Sequence, residues 1–452
     1  MKRQLKTMQA LPPLALATRI QRLKALARAI RHHQQQVAEA INRDFSHRST
    51  EESLLAEIMV CLEEIKHTQR HLKQWVRSRR WHADWKFFPS KCAITPQPKG
   101  VVGIMAPWNY PFNLVMEPLV AAIAAGNRVM VKPSEITGHT AALIKTMLAE
   151  VFADDEVHVV LGDATVANAF SALPLDHILF TGSTQVGKII MRNASDNLTP
   201  VTLELGGKSP VLIDHKYPIK RAAKAIAQGK WFNAGQTCLA PDYVLIDAAR
   251  MEALVEAISQ VTTASYPNPA DNRDYSCVVN PHHHQRLQQL LDGIPNEQIH
   301  HLGTVTEGQK MAPTLVLNPP LDHPIMRQEI FGPILPIITC EGLAEQLAFI
   351  NQRDRPLTLY LFSNRQAVIK QVRDQTHSGS LTVNETLVQF AQQGLPFGGI
   401  GASGMGSYHG YQGFLAMSHM KSTYYQSRLN LNGLVRAPYT RLKQSFIQLL
   451  NR

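Results

Sequence analysis

The sequence predicts a two-part α/β protein, and three observations carry that prediction. At 452 residues the chain is too long for one ordinary core. From Gly100 onward, short apolar runs alternate with amphipathic stretches, the pattern of a parallel sheet wound with helices. The alternation breaks at Glu204–Gly207 and then starts again, which places a boundary there.

The elements follow in order. Residues 14–40 read as a helix, with Leu23, Leu26, Ala27 and Ile30 on one face and Arg22, Arg28 and Arg31 on the other. Residues 51–79 read as a second helix, striped by Leu54, Leu55, Ile58, Met59, Leu62 and Ile65. Trp81–Pro98 loses the helical period and is rich in aromatics and prolines, so it reads as an extended excursion or hairpin, an arm suited to contact another subunit. Strands are expected at Val101–Met105, Arg128–Lys132, Val157–Leu161, His177–Thr181 and Val201–Leu205, with helices at Ala141–Val151 and Val186–Ala194 between some of them. Beyond Gly207, strands are expected at Val211–Ile213, Tyr243–Ile246, Ile334–Ile338, Leu357–Phe362 and Leu381–Val383.

Composition narrows the function classes. Apolar residues are 44% and charged residues 18%, ordinary for a soluble globular enzyme. No apolar run approaches the ~20 residues of a membrane span, and the short run from Leu11 to Ala17 is broken by prolines, unlike a signal peptide. The five cysteines show no CxxC and no metal-ligand spacing, so the reading is reduced thiols in a cytoplasmic protein and no metal site. The net charge is +11, and both ends are basic. No acidic residue precedes Glu39 or follows Glu385, whereas Lys421, Arg428, Arg436, Arg441, Lys443 and Arg452 do follow it. Such ends suit an anionic membrane surface, nucleic acid or a polyanionic cofactor, but a solvated surface explains them more simply. Residues 434–450 mix Leu442, Phe446, Ile447, Leu449 and Leu450 with Arg441 and Lys443, which suits a membrane surface and a partner subunit alike.

Reaction chemistry points to Gly235-Gln236-Thr237-Cys238 and Glu204-Leu205-Gly206-Gly207-Lys208. A thiolate can attack a carbonyl, and a carboxylate can activate the water that releases the product. A lone cysteine is more often a small buried apolar residue, and a lone glutamate at a strand end is more often an ion pair. Leu239-Ala240 suggests a helix start whose N-terminus would favour a thiolate, although Pro241 shortens it. Asn109 sits on a turn bracketed by Pro107 and Pro111, where a stiffly held amide can donate to an oxyanion, a role worth ~3 kcal/mol. An Asn-stabilised turn is the simpler alternative. Phe180-Thr181-Gly182-Ser183 ends a strand, and the helix start after it can hold a phosphate. Lys188 is followed by Ile189, which removes the triphosphatase reading. Lys132-Pro133-Ser134-Glu135 and Glu329-Ile330-Phe331 offer groups for ribose hydroxyls, or ordinary loops. The glycine-dense Leu395–Gly406 stretch looks like a close-packed loop.

In this order, these motifs resemble the aldehyde dehydrogenase superfamily over about 300 residues, and the details at Cys238–Tyr243 and Gly404–Gly410 resemble its class 3 and coniferyl aldehyde dehydrogenase branch. The resemblance implies a Rossmann-type dinucleotide-binding domain over 1–205 with the 81–98 excursion as a small β bridging arm. It implies an α/β catalytic domain over 206–406, and a bridging strand with a tail over 407–452. It implies Cys238 as nucleophile, Glu204 as general base, and an oxyanion site of Asn109 and the Cys238 backbone N–H. Lys132 and Glu135 would hold the adenosine ribose, Gly182 and Ser183 would lie near the pyrophosphate with Trp108 and Val186 nearby, and Glu329 would hold the nicotinamide ribose with Phe331 packing beside it. The implied cofactor is NAD, with NADP as the alternative. The implied reaction takes a hydrophobic aldehyde, aromatic such as coniferyl aldehyde or medium- to long-chain aliphatic, through a thiohemiacetal and a thioester to the acid. A homodimer is implied, with no nucleic acid partner. A non-catalytic scaffold would have lost Cys238 or Glu204, and a redox-free cysteine esterase would not need Glu135 and Glu329. Tyr110, Trp231 and Phe390 are candidate lining for the substrate tunnel, though ordinary core is the better expectation for each.

Overall fold

The computed structural model describes residues 1–304, 308–430 and 432–451. The described strands form three sheets. The first holds, in spatial order, Gly404–Met405, Val201–Leu205, His177–Gly182, Val101–Met105, Arg128–Lys132 and Val157–Val159. All its pairings are parallel except the Gly404–Met405 edge. The second holds Ile299–His301, Thr314–Leu317, Ile334–Thr339, Tyr243–Ile246, Pro210–Ile213, Thr358–Phe362 and Ser380–Val383, parallel after its first pair. The third is an antiparallel arm of Arg79–Trp81, Lys91–Pro98 and Ser418–Tyr425.

The strand expectations hold because parallel strands covered on both faces must be apolar throughout. Val101–Met105 and Arg128–Lys132 are buried at every residue, including the stem of Arg128. The strand read as Val157–Leu161 ends at Val159, and Leu161 is exposed. The helix read as 14–40 spans Leu16–Asp44 and starts just after the Pro12-Pro13 pair. The one read as 51–79 spans Thr50–Trp75 and contains a π turn at Leu54–Met59.

Other elements left no period to read. Asn113–Ala125 is buried on every side, so its apolar residues fill the whole circumference and the amphipathic signal vanishes. Gly126, at φ 94°, ends it in the left-handed conformation that glycine supplies at little cost. Lys2–Gln9 looks like a solvated basic end, yet it is a helix that buries Leu5 and Met8 against the first sheet. Arg441–Leu450 is a helix with no buried residue, and Arg452 lies outside the described residues. Among the described residues, no helix is long and apolar enough to cross a membrane.

Candidate active site

In the first sheet the chain order reverses beside Val101–Met105. Arg128–Lys132 follows on one side and His177–Gly182 lies on the other. Loops at the carboxyl ends of two such strands diverge and leave a crevice. The crevice here is a cleft of about 1310 Å³ between the two large sheets. Its walls include the turn carrying Trp108 and Asn109, the turn Thr181-Gly182-Ser183, the segment Glu204–Lys208, and Cys238, Glu329 and Phe331.

Cys238 arrives on a strained loop. Asn233, Ala234 and Gly235 all have positive φ, and Gly235 packs so closely on the Gly332 carbonyl that a Cβ would collide with it. No helix follows the cysteine, contrary to the sequence expectation. Ala240 N–H closes a turn on the Thr237 carbonyl at 2.9 Å, and Pro241 leads the chain into the Tyr243–Ile246 strand. No helix N-terminus therefore favours the thiolate. Burial pushes the thiol up to about 12, helped by the charges of Glu329 and Glu204, while the N–H groups of Cys238 and Leu239 act the other way.

Glu204, next to last in its strand, has a side chain that is buried and has no hydrogen-bond partner on either oxygen. Burial holds its carboxyl well above the usual range. Asn109 is buried as well. Its Nδ2 donates to the Gln236 carbonyl at 3.1 Å, which ties the amide turn to the thiol loop. A side-chain amide has two N–H donors, so one is left over. Beside it, the hydroxyls of Tyr110 and Thr237 are 2.6 Å apart.

Glu329 lies against Gly206, where any Cβ would collide with the carboxylate. Its Oε1 is buried without a partner, and burial raises the group to about 8. Phe331, at φ 51°, sets its ring edge-on to Trp108 at 5.3 Å. Ser183 caps the helix Thr184–Ser195 by accepting from the Val186 N–H. Not every predicted residue reaches the cleft. Lys132 and Glu135 stand at the end of the neighbouring strand and pair with each other at 3.0 Å, outside the cleft wall, and Val186 is exposed and also outside it. Tyr110, Trp231 and Phe390 do not line it either. Trp231 is core, with Nε1 on Thr262 Oγ1 at 2.8 Å, and Phe390 packs on Phe397 and His409.

The cleft also holds residues that the sequence reading passed over. His283 packs on Trp108 at 4.7 Å, and burial lowers it to about 4, so it is neutral at pH 7. Arg286, one turn on, donates to the carbonyls of Ile330 at 2.6 Å and Glu329 at 3.4 Å and so holds the Glu329 loop. The signal in sequence was Asn280-Pro281, an N-cap followed by a proline at the first helical position. That pair predicts a helix, but not that its next turn faces the cleft.

The residues present fit a dinucleotide. The unpartnered Glu329 oxygen suits a ribose hydroxyl, and the capped helix start beside Gly182 and Ser183 suits a phosphate. The thiol and the unpartnered Glu204 carboxyl on one cleft suit covalent acyl chemistry.

Known proteins resemble the chain over nearly its whole length. A model of the aldehyde dehydrogenase family matches residues 2–423. The chain is 46% identical over 438 residues to a probable coniferyl aldehyde dehydrogenase of Pseudomonas aeruginosa, covering 96% of this chain and 92% of that one. It is 40% identical to a dimeric NADP-preferring aldehyde dehydrogenase of Rattus norvegicus, covering 92% of this chain and 91% of that one. Its backbone matches a substrate-bound structure of Staphylococcus aureus AldH with a TM-score of 0.95 at 39% identity, covering 100% of this chain and 99% of that one.

Proposed function

We propose the roles of individual residues for a chain that belongs to the aldehyde dehydrogenase family, whose reaction is the NAD- or NADP-dependent oxidation of aromatic and aliphatic aldehydes. Cys238 is the nucleophile. Its sulfur adds to the aldehyde carbon, giving a thiohemiacetal. The free N–H of the Asn109 amide and the backbone N–H of Cys238 hold the developing oxyanion. A nicotinamide cofactor held by Glu329, Gly182 and Ser183 would supply the hydride acceptor, and loss of hydride from the thiohemiacetal carbon would leave the thioester. Glu204 then takes a proton from water, whose oxygen attacks the thioester carbon. The carbon–sulfur bond breaks, the acid leaves, and the thiol is restored. The observation that carries this reading is the pairing of Cys238 with an unpartnered, buried Glu204 on one cleft.

Glu329 would hold the nicotinamide ribose, with Phe331 and Trp108 packed beside it, and Gly182 and Ser183 would face the pyrophosphate, with Val186 in the first turn behind them. Lys132 and Glu135 would open their mutual ion pair to take the adenosine ribose. Glu135 accepts from a free 2′-hydroxyl, which favours NAD over NADP. The substrate is a hydrophobic aldehyde, coniferyl aldehyde among the aromatic ones, in line with the P. aeruginosa relative. Residues 1–205 form the dinucleotide domain, 206–406 the catalytic domain, and 81–98 with 407–452 the bridging arm and tail. The arm exposes Trp81, Trp85 and Phe88, as a surface covered in a homodimer would. A thiol nucleophile suits the reducing cytoplasm.

The test is reduced-nicotinamide formation with aromatic and aliphatic aldehydes, each with NAD and with NADP. Cys238→Ala should abolish turnover and leave cofactor binding intact. Near-normal turnover in that variant would sink the mechanism.

A further inference from the structure

The turn that presents Asn109 is gripped from behind by buried charges that the scheme above does not use. Arg48 stands at the corner between Leu16–Asp44 and the helix that starts at Thr50, and it is only 1% exposed. Its guanidinium lies over the rings of Phe45 and Tyr110, 5.2 and 4.8 Å from their centroids. Nη1 donates to the Asn109 carbonyl at 2.9 Å and to Glu57 Oε1 at 3.0 Å. The other Glu57 oxygen accepts from the N–H groups of Phe112 at 3.1 Å and Asn113 at 2.7 Å, where the Asn113–Ala125 helix begins. Glu57 lies in the π turn Leu54–Met59, a distortion that tends to occur at functional positions.

A wholly buried ion pair is a poor source of stability, because apolar residues of the same volume often serve as well. What this pair does supply is direction. Arg48 fixes the carbonyl of Asn109, and Glu57 fixes the first N–H groups of the helix that follows. Together they orient the peptide from which the Asn109 side chain departs. From the far side, Asn233 Nδ2 donates to the same carbonyl at 3.1 Å and to the Gln236 carbonyl at 3.2 Å. The Asn233 N–H in turn donates to Glu52 at 3.1 Å. One corner of the helical layer thus holds the amide turn and the thiol loop in mutual register.

We propose that Arg48, with Glu57 as its counter-ion, is a positioning residue that sets the Asn109 amide relative to the Cys238 sulfur. The proposal rests on the oxyanion role given to Asn109 above. A donor displaced by an ångström forfeits about 100-fold in rate while substrate and cofactor still bind.

The experiment measures kcat, aldehyde KM, cofactor affinity and thermal midpoint for Arg48→Lys and for Arg48→Met combined with Glu57→Gln, each alone and on an Asn109→Ala background. The combined change removes both charges and keeps an oxygen for the Phe112 and Asn113 N–H groups. Arg48→Lys keeps the charge and loses the planar fork, and it carries the same expectation if the combined variant does not fold. We expect kcat to fall about 10- to 100-fold with KM changed less than about threefold and cofactor affinity held. On the Asn109→Ala background, the further loss should be under about threefold, because residues acting as one unit are not additive. Unchanged kcat in a folded variant, or a full multiplicative loss on that background, overturns the proposal. Full turnover in Asn109→Ala alone refutes the oxyanion assignment itself, a distinct result that takes the role of Arg48 with it.

Discussion

Cys238 and Glu204 both hold their protons more tightly than free side chains do, chiefly because burial disfavours their charged forms, with the Glu329 and Glu204 carboxylates adding to the effect on Cys238. In the roles proposed for them, both must lose a proton to act. A raised pKa keeps the inactive, protonated form populated to higher pH, so turnover should climb as pH rises from about 6 to 9. A pH profile that falls over that range would contradict these roles. Glu204→Gln should keep a pre-steady-state burst of reduced nicotinamide and lower the steady rate by about 100-fold or more. A lost burst with a normal steady rate would point to another base. That Cys238, Glu204 and Asn109 meet on one cleft was legible in the sequence because each stands in a short motif. His283, Arg286 and Arg48 were not. Their placement arises from packing across segments far apart in the chain, and no local spacing records that.

At the scale of elements, what could be read was what alternates. Most strands of both large sheets were visible as apolar runs, and Leu16–Asp44 as a striped helix, whereas Ile299–His301, Thr314–Leu317 and the Gly404–Met405 edge were not read. Asn113–Ala125 was not visible as a helix, since complete burial erases the stripe. Lys2–Gln9 was hidden by its charge, because Leu5 and Met8 are too few to make a period. Arg441–Leu450 is the reverse case, an amphipathic helix whose apolar residues, including Leu442 and Leu449, remain exposed. Ending the chain after Thr440 should therefore leave the thermal midpoint within about 2 °C and leave turnover on small aldehydes unchanged, since little buried surface is lost. A large drop in the midpoint would mean that this helix is covered in the assembled protein.

For the whole molecule, the sequence carried the two-sheet plan and the arm, and the family resemblance put a bridging strand after residue 407, but the edge that Gly404–Met405 adds to the first sheet was not read. The arm pairs Lys91–Pro98 with Ser418–Tyr425 along its full length and leaves aromatic side chains in solvent. A dimer built on this arm should have twice the monomer mass by light scattering, and Trp81→Glu with Trp85→Glu should shift it toward monomer. A wild-type monomer at micromolar concentration would remove the arm's proposed role. The pairing of Gly404–Met405 with Leu203 and Glu204 has a consequence in time rather than space. A chain made from its N-terminus forms the strand that carries Glu204 long before its neighbour exists. Until some two hundred further residues have left the ribosome, that strand is a bare sheet edge, open to mispairing with other chains. The strand that carries Glu204 is therefore covered late, only once residues 404 and 405 have been made.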